Sequence, residues 1–293
     1  MTSLIDTKFL ARLERLSLVA RRVRAGQMAG ERRSTKRGTS VEFADYRDYA
    51  KGDDLRRVDW NIYARLERPF VKLFEEEEDL AVHLLLDGSA SMDWGANDEN
   101  KWHYARRLAA ALGHVALGTG DRLSVTCLSA TQAALGPLRG RGHTARLLEW
   151  LGRLPASGTT DLNAALHTYA IAGGRAGLVV LITDLFSPNG YLKGAAALAA
   201  RGHELAILHL LAPDEIDPPL GGDLRLVDVE TGTTQEVTID GSVRSLYQRR
   251  LAAWQEDIRR DCRNRNVHYL PIPTSTPVEY VTLTEMRRIG LLK

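Results

Sequence analysis

The sequence has only two cysteines among its 293 residues, Cys127 and Cys262. They are far apart in apolar segments, which indicates buried free thiols in a reducing compartment rather than a disulfide framework. No apolar run reaches the roughly 18 residues that a membrane-spanning helix needs. The first 24 residues carry scattered charges instead of the apolar core and small-residue cleavage site of a secretory signal. These absences predict a cytoplasmic protein without a membrane span.

Several motifs that mark enzyme families are also absent. The chain has no Gly-x-x-x-x-Gly-Lys-Ser/Thr phosphate loop, no Gly-x-Ser-x-Gly nucleophile elbow and no His-Glu-x-x-His zinc motif. The formal net charge is only +2, so the composition provides no general attraction to nucleic acid. A small basic cluster at residues 32–37 is more typical of a solvated surface than of a phosphate contact. We therefore do not expect nucleic acid as a partner.

From residue 80 onward, apolar strands alternate with helical segments. The strands are predicted at residues 80–86, 122–129, 178–183 and 204–211, with a shorter edge strand at 132–138 and a last strand at 267–271. Strands this apolar need helices on both faces, which is typical of an α/β fold with a mainly parallel sheet. Two further segments near residues 222–240, split by Thr231-Gly232, predict a β-hairpin insertion.

The first 78 residues differ from this pattern. Apolar residues recur with a period near 3.6 over residues 4–24, which predicts an amphipathic helix. Residues 31–72 have no long periodic run, but their dense Asp, Arg, Trp and Tyr residues are typical of interlocking ion pairs or of an interaction face. We therefore predict two parts, an N-terminal helix with a loop- and β-rich extension at residues 1–78 and the α/β domain at residues 79–293.

Polar side chains follow two of the predicted strands at the point where each strand ends. Asp87 comes directly after the first strand, and the hydroxyls of Ser89 and Ser91 follow at alternate positions, which lets them point to the same side. Asp184 comes directly after the strand at residues 178–183. Because ligands bind beyond the carboxyl ends of parallel strands, we expect these side chains at one edge of the sheet.

A third segment, Gly158-Thr159-Thr160-Asp161-Leu162, adds hydroxyl groups at a predicted helix start. Either threonine is a candidate ligand, and Thr160 fits by its place directly before Asp161-Leu162. Oxygen ligands of which few are charged suit Mg²⁺ or Mn²⁺, and this set comprises Asp87, Ser89, Ser91, Thr160 and Asp184. The alternative interpretation is that the two serines only cap the following turn while Asp87 pairs with a basic residue.

These three segments resemble the metal-ion-dependent adhesion site of von Willebrand factor A domains, with a departure at Leu185, where many such domains have Gly. The upstream sequence is similar to the signature of the DUF58 family, carried by Glu42-Phe43, Arg47, Tyr49, Gly52-Asp53-Asp54-Leu55-Arg56, Asp59-Trp60 and Ala64-Arg65. The resemblance runs from about residue 30 to at least Asp184. It implies a doubly wound, Rossmann-type sheet like that of the von Willebrand factor A domain.

The resemblance also implies a bacterial or archaeal cytoplasmic protein that works with a MoxR-type AAA+ ATPase in chaperoning or metallo-enzyme maturation. Our function hypothesis is an adaptor or co-chaperone, not an enzyme, that binds an Asp or Glu of its partner or client through the divalent ion. Rim residues of such a site would be Asp93, Trp94 and Asp161. The alternative is a Mg²⁺- or Mn²⁺-dependent hydrolase of a phosphoester, for which Asp161 or Asp93 would have to act as general base.

Overall fold

The structure is a computed structural model that describes residues 4–20, 41–50, 53, 55, 58–76, 79–129, 132–172, 174–219, 221–227, 232–239 and 241–293. The described residues form two compact units. The larger unit contains residues 4–20 and everything described from residue 80 onward, and the smaller unit lies within residues 41–79. The N-terminal helix therefore groups with the larger unit, whereas the sequence analysis grouped it with the extension.

The strands within the described residues are, in chain order, β1 (Val41–Asp48), β2 (Phe70–Glu76), β3 (Ala81–Asp87), β4 (Arg122–Leu128), β5 (Ala133–Leu138), β6 (Leu178–Thr183), β7 (Glu204–Leu211), β8 (Gly222–Val227), β9 (Thr234–Ile239) and β10 (His268–Pro273). The apolar runs of the sequence predict β3, β4, β6 and β7 to within one residue at each end. β8 and β9 form an antiparallel pair in the place where the sequence predicts a hairpin.

The helices within the described residues are α1 (Thr7–Leu13), α2 (Trp60–Leu66), α3 (Lys101–Gly118), α4 (Thr144–Arg153), α5 (Leu162–Ala172), α6 (Leu192–Ala200), α7 (Pro213–Ile216), α8 (Gly241–Asn264), α9 (Val278–Tyr280) and α10 (Met286–Arg288). A π-helical turn, Val281–Glu285, joins α9 to α10. None of the helices among these residues combines the length and the apolar composition needed to cross a membrane.

The central sheet of the larger unit has six strands in the order β10-β7-β6-β3-β4-β5. β5 pairs antiparallel with β4, and the other neighbouring strands are parallel. From β3 the chain adds β4 and β5 on one side, and then β6, β7 and β10 on the other. The order therefore reverses between β3 and β6, and ligands of open α/β sheets bind in the crevice at such a reversal. This sheet confirms the predicted α/β class with a mainly parallel sheet.

Helices cover both faces of this sheet. Leu84 and Leu86 of β3 belong to a hydrophobic cluster with buried residues of α1, α3 and α4. Leu85, which points to the opposite face, belongs to a second cluster with buried residues of α5, α6 and α8. Because both faces are buried, every residue of β3 is buried and the strand reads as a continuous apolar run.

Helix α1 is shorter than the helix predicted over residues 4–24. It begins after Asp6, whose carboxylate accepts a hydrogen bond from the backbone amide of Phe9 at 2.6 Å. Beyond its end, the amides of Ser17 and Val19 donate to the carbonyls of Lys293 and Leu291 at 3.1 and 3.0 Å. This extended pairing with the chain end removes residues 17–19 from the helix, and residues 21–24 lie outside the described part of the chain.

The smaller unit consists of the antiparallel pair β1–β2 and helix α2. Asp59 caps α2, because one carboxylate oxygen accepts hydrogen bonds from the amides of Asn61 and Ile62. Arg47 pairs with Asp53 at 2.9 Å, an ion pair of the kind that the sequence predicts for this segment.

The sequence analysis predicted neither β1 nor α2. The register of β1 shifts between Phe43 and Asp45, and this irregularity breaks the apolar alternation by which a strand is recognised. Helix α2 is only seven residues long and has no buried residue, so no long periodic run of core residues marks it. Of the DUF58-like signature, Gly52, Asp54 and Arg56 lie outside the described residues.

Close packing before β6 generates a stability prediction. A Cβ atom added to Gly177 would lie 2.0 Å from the carbonyl oxygen of Ala81, which is backbone and cannot rotate away. We expect Gly177→Ala to lower the free energy of unfolding by about 1–3 kcal/mol or more, measured by urea titration. Gly152→Ala is the control, because a Cβ there has open space and alanine is the better helix former, so a gain of about 0.5–1 kcal/mol is expected. Equal stability of Gly177→Ala and wild type would contradict this packing.

Candidate metal site at the carboxyl ends of β3 and β6

Asp87 is a buried carboxylate at the end of β3, only 2% exposed. One of its oxygens accepts a hydrogen bond from the amide of Ser89 at 3.1 Å, and the other accepts from the Thr183 hydroxyl at 2.7 Å. Within the described residues no basic side chain pairs with it, so the alternative of an Asp87 ion pair is wrong for this part of the chain. Burial, and then the charge of Asp184, raise the pKa of Asp87 to about 6.

The two serine hydroxyls that follow Asp87 contact each other. Ser89 Oγ and Ser91 Oγ are 3.0 Å apart, and the Ser89 hydroxyl also hydrogen-bonds to Asp87. Ser89 precedes the short 3₁₀ helix Ala90–Met92, but its side chain makes no capping hydrogen bond there. Capping therefore does not explain Ser89, and the hydroxyl faces the carboxylate instead.

Backbone hydrogen bonds fasten the threonine-containing loop beside the loop after β3. The Ser157 amide donates to the Gly88 carbonyl, and the Ala90 amide donates to the Gly158 carbonyl, both at 2.8 Å. These two bonds bring the segment around residue 158 next to Ser89, although the two segments are separated by roughly 70 positions in the chain. A tertiary contact of this kind is invisible to periodicity.

Thr160 is the threonine that faces inward, since it is buried and Thr159 is exposed. Its hydroxyl donates to the Leu128 carbonyl at 3.0 Å, and the Gly88 amide donates to the same oxygen at 2.9 Å. The end of β4 thus anchors both loops at one acceptor. The hydroxyl oxygen of Thr160 keeps its lone pairs, because in this bond it is the donor.

Asp184, directly after β6, is buried, and each of its two carboxylate oxygens accepts a hydrogen bond. One accepts from the Phe186 amide at 3.0 Å, and the other accepts from Lys101 Nζ at 2.7 Å. Leu185 between them has a φ of 59°, in the left-handed region that normally favours Gly. Leu185 therefore adopts a backbone turn that glycine would adopt more easily. This turn directs the Phe186 amide back towards Asp184.

Lys101, which the sequence analysis missed, is the fully buried cation of this region. Its ammonium contacts Asp184 at 2.7 Å and Glu215 Oε1 at 2.6 Å. The second oxygen of Glu215 accepts from the Ala212 amide at 2.8 Å, at the start of α7. Lys101 is also the first residue of α3, so one side chain joins α3, the end of β6 and the start of α7.

A sequence signal for Lys101 existed. A cation in the first turn of a helix opposes the helix dipole, and a lysine is almost never fully buried unless it is paired. The position of Lys101 before a long Ala- and Leu-rich helix therefore indicates a carboxylate partner, although not which one. Glu215 lies in α7, beyond the end of β7, whereas Asp184 directly follows β6, so the rule used for Asp184 does not identify Glu215.

Three carboxylates and one ammonium form this group, which we call the acid cluster: Asp87, Asp184, Glu215 and Lys101. When all four are ionised, the cluster has an excess of two negative charges. Nearby His209 does not compensate, because burial above all lowers its pKa to about 4 and leaves it neutral near pH 7. Burial, the largest cause, also raises the pKa of Glu215.

The predicted rim residues are exposed and close in sequence to the site. Trp94 is 48% exposed, and the side chains of Asp93 and Asp161 are exposed too. Asp161 caps α5 by accepting from the Ala164 amide at 2.9 Å, and this bond is the first cause that lowers its pKa. Asp93 accepts from Asn100 Nδ2 at 2.9 Å.

A further exposed aromatic residue, Phe186, was not predicted. It is 41% exposed, it stacks on Trp254 with ring centroids 5.5 Å apart, and Lys101 Nζ lies 5.0 Å from its ring centre. The first turn after β6 therefore covers the buried ammonium with an aromatic face.

The described residues contain no group of three or more His, Cys, Asp or Glu side chains that could hold a metal ion. The predicted ligand set is of another kind, since it has two carboxylates and depends on hydroxyl oxygens for the rest. Hard cations such as Mg²⁺ take oxygen ligands, usually from one or two carboxylates while several waters stay bound. The donor atoms around Asp87 fit that chemistry.

The raised pKa of Asp87 predicts a pH-dependent stability in metal-chelating buffer. The folded state keeps a proton on Asp87 up to about pH 6, whereas the unfolded chain loses it near its ordinary value of 3.8, so stability falls as pH rises between these values. Asp87→Asn removes this loss. Relative to wild type it should gain up to about 3 kcal/mol between pH 4 and pH 7, measured by urea unfolding at each pH.

Asp214→Asn is the matched control, because the Asp214 side chain is exposed. Its stability difference from wild type should not change over the same pH range. A constant difference between Asp87→Asn and wild type would show that Asp87 does not titrate as a buried, uncompensated group.

Two solved structures resemble the fold loosely. One is BatB from Bacteroides thetaiotaomicron, described as a conserved hypothetical protein, with 14% identity, a TM-score of 0.45 and coverage of 72% of this chain and 98% of that chain. The other is an aerotolerance-related membrane protein from Bacteroides fragilis, with 16% identity, a TM-score of 0.46 and the same coverage.

Sequence relatives extend over nearly the whole chain. The uncharacterized protein Rv1480 of Mycobacterium tuberculosis and the uncharacterized protein Mb1516 of Mycobacterium bovis are each 30% identical over 98% of this chain and 92% of their own length. The uncharacterized protein MAV169 of Mycobacterium avium is 32% identical over 48% of this chain and 83% of its own. Residues 45–257 match the family described as "Protein of unknown function DUF58". The chain therefore belongs to the DUF58 family.

Proposed function

We propose that this protein is a metal-dependent protein–protein interaction module, in which a divalent ion at the ends of β3 and β6 takes up a carboxylate of a partner. One observation carries the proposal: Asp87 is a buried carboxylate that only neutral donors contact. A buried charge is costly unless it is paired or coordinates a metal. Since no basic side chain among the described residues pairs with Asp87, a cation from outside the chain is the natural counterion.

The ligands would be Asp87, Ser89, Ser91, Thr160 and Asp184, and the ion Mg²⁺ or Mn²⁺. The donor types support this assignment, because these ions prefer oxygen and tolerate few charged ligands. The strand order also supports it, because the sheet reverses direction between β3 and β6, where such folds bind ligands. In fold terms we propose a doubly wound, Rossmann-type sheet of the von Willebrand factor A type, with Asp87, Thr160 and Asp184 in the three segments of its metal-ion-dependent adhesion site.

Partner binding is favoured over hydrolysis by the surroundings of the site. A Mg²⁺- or Mn²⁺-dependent hydrolase would need Asp161 or Asp93 as a general base. Asp161 is tied to α5 and Asn189 by hydrogen bonds that lower its pKa and make it a weaker base. Asp93 is held by Asn100. The exposed rings of Trp94 and Phe186 are instead the kind of side chain that anchors a protein interface.

We propose a MoxR-type AAA+ ATPase, or a client protein of such an ATPase, as the source of the carboxylate, and the cytoplasm as the place of action. The support is the DUF58 signature together with the absence of a phosphate-binding loop in this chain, which would leave nucleotide hydrolysis to a partner. An adaptor needs only to bind its partner and release it, and a divalent ion with a vacant coordination position can do both.

Ion binding and carboxylate binding can be tested without knowing the partner. Isothermal titration with Mn²⁺ should show one site in wild type, and Asp87→Asn should weaken binding at least about a hundredfold, because it removes the one charged ligand without a protein counterion. Acetate should then displace water from bound Mn²⁺, which lowers the water-proton relaxation enhancement, whereas acetamide should not. Asp214→Asn should behave as wild type.

Ion binding that is equal in Asp87→Asn and wild type would refute the ligand assignment. A relaxation enhancement that acetate leaves unchanged would refute carboxylate capture. Turnover of phosphoesters that needs the ion and is lost in Asp161→Asn would favour the hydrolase instead.

The partner class has its own test. Tagged wild-type protein should retain an AAA+ ATPase, identified by mass spectrometry, from extracts of its native host in Mg²⁺ but not in EDTA, and Asp87→Asn should retain at least about tenfold less. Retention that ignores both EDTA and the substitution would contradict a metal-bridged contact, even if the same ATPase is recovered.

A further inference from the structure

The acid cluster contains a permanent internal cation, and its position relative to the candidate ligands is informative. Asp184 contacts Lys101 directly at 2.7 Å, and its charge also acts on Asp87. Asp184 is therefore the residue that the ammonium and the candidate metal site share. Both of its oxygens already accept a hydrogen bond, one from Lys101 and one from the Phe186 amide.

Burying this ammonium is costly, and a simpler solution was open to the fold. Two carboxylates and one ammonium taken from water lose solvation that their attraction only partly restores, and a well-packed apolar group of similar size is often at least as stable. Lys101 also begins α3, where a positive charge opposes the helix dipole. A purely structural role explains this arrangement poorly, so the charge itself calls for a function.

We infer that Lys101 is a positioning residue that competes with the divalent ion for Asp184, and that it thereby weakens ion binding and leaves the bound ion less neutralised. The inference deepens the proposed function and rests on it. With Asp184 shared between the ion and the ammonium, Asp87 is the one charged ligand that has no counterion among the described residues. The ion is then less neutralised by its own ligands, so it attracts a partner carboxylate more strongly. The site therefore binds the ion more weakly and the partner more tightly.

Glu215 acts from the other side of the ammonium. It contacts Lys101 at 2.6 Å and is anchored by the Ala212 amide at 2.8 Å, so it fixes the ammonium between two carboxylates. Its negative charge offsets part of the effect of Lys101 on the ion. Removal of Lys101 and removal of the charge of Glu215 should therefore change ion affinity in opposite directions.

The test compares Mn²⁺ and Mg²⁺ dissociation constants of the full chain by isothermal titration. Lys101→Met should bind the ion at least about tenfold more tightly than wild type, because one positive charge leaves its neighbourhood and Asp184 no longer shares its charge with an ammonium. Glu215→Gln should bind it about three- to tenfold more weakly. Lys193→Met, at an exposed lysine of α6, is the control and should match wild type.

A second measurement separates tighter ion binding from a new ion site at the place of the lost ammonium. The gain in Lys101→Met should disappear in Asp87→Asn/Lys101→Met, because the inferred site still needs Asp87. Acetate should also bind to the Mn²⁺ complex of Lys101→Met more weakly than to that of wild type, since a more neutralised ion attracts a carboxylate less. A lysine with a merely structural role would give the opposite sign, with a disordered Asp184 and weaker ion binding.

The outcomes distinguish this inference from the proposed function. If wild type binds the ion through Asp87 while Lys101→Met binds it equally or more weakly, the inference is overturned and the proposed function stands. If neither wild type nor Lys101→Met binds the ion, both fail. Should Lys101→Met not fold, judged by circular dichroism, Glu215→Gln decides: weaker ion binding supports the inference, and equal or tighter binding overturns it.

Discussion

A sheet whose strands are buried on both faces leaves the strand ends as the natural place for charged groups, and the larger unit is organised by this constraint. Every side chain of β3 and β6 is buried, and most of the apolar ones lie in one of the two hydrophobic clusters. The carboxylates of Asp87 and Asp184 follow directly. Because the strand order reverses between these two strands, no neighbouring crossover covers their ends, and the polar groups of both strands meet there.

The chemistry of the site follows from how these groups share charge. Two of the three carboxylates in the acid cluster have the Lys101 ammonium as their partner, and the third, Asp87, has only the Ser89 amide and the hydroxyls of Ser89 and Thr183. This asymmetry is what distinguishes the cluster from an ordinary buried ion pair. It accompanies the raised pKa of Asp87, of which burial is the largest cause and the charge of Asp184 the second.

Backbone hydrogen bonds and backbone conformation hold the remaining parts of the site in place. The Leu128 carbonyl accepts hydrogen bonds from both the Gly88 amide and the Thr160 hydroxyl, so one acceptor at the end of β4 holds two loops. Leu185 adopts a left-handed φ where glycine would be easier, and a residue in that strained region persists only when its surroundings enforce it. The buried contacts of Leu185 on the second face of the sheet supply that enforcement.

The sequence alone determined the α/β class, the main strands and the residues at their ends. A hydrophobic run marks a buried segment, and the main strands of this fold are buried segments. It also named Asp87, Ser89, Ser91, Thr160 and Asp184, since each follows a strand or precedes a helix. The irregular β1 and the exposed α2 carry no such periodic record. Only the tertiary structure revealed that Lys101 lies on Asp184 and Glu215, because those residues are 83 and 114 positions away and such pairing depends on which strand ends become neighbours. What periodicity supplies is therefore the place of each group in its own segment, and what folding decides is which charges face each other.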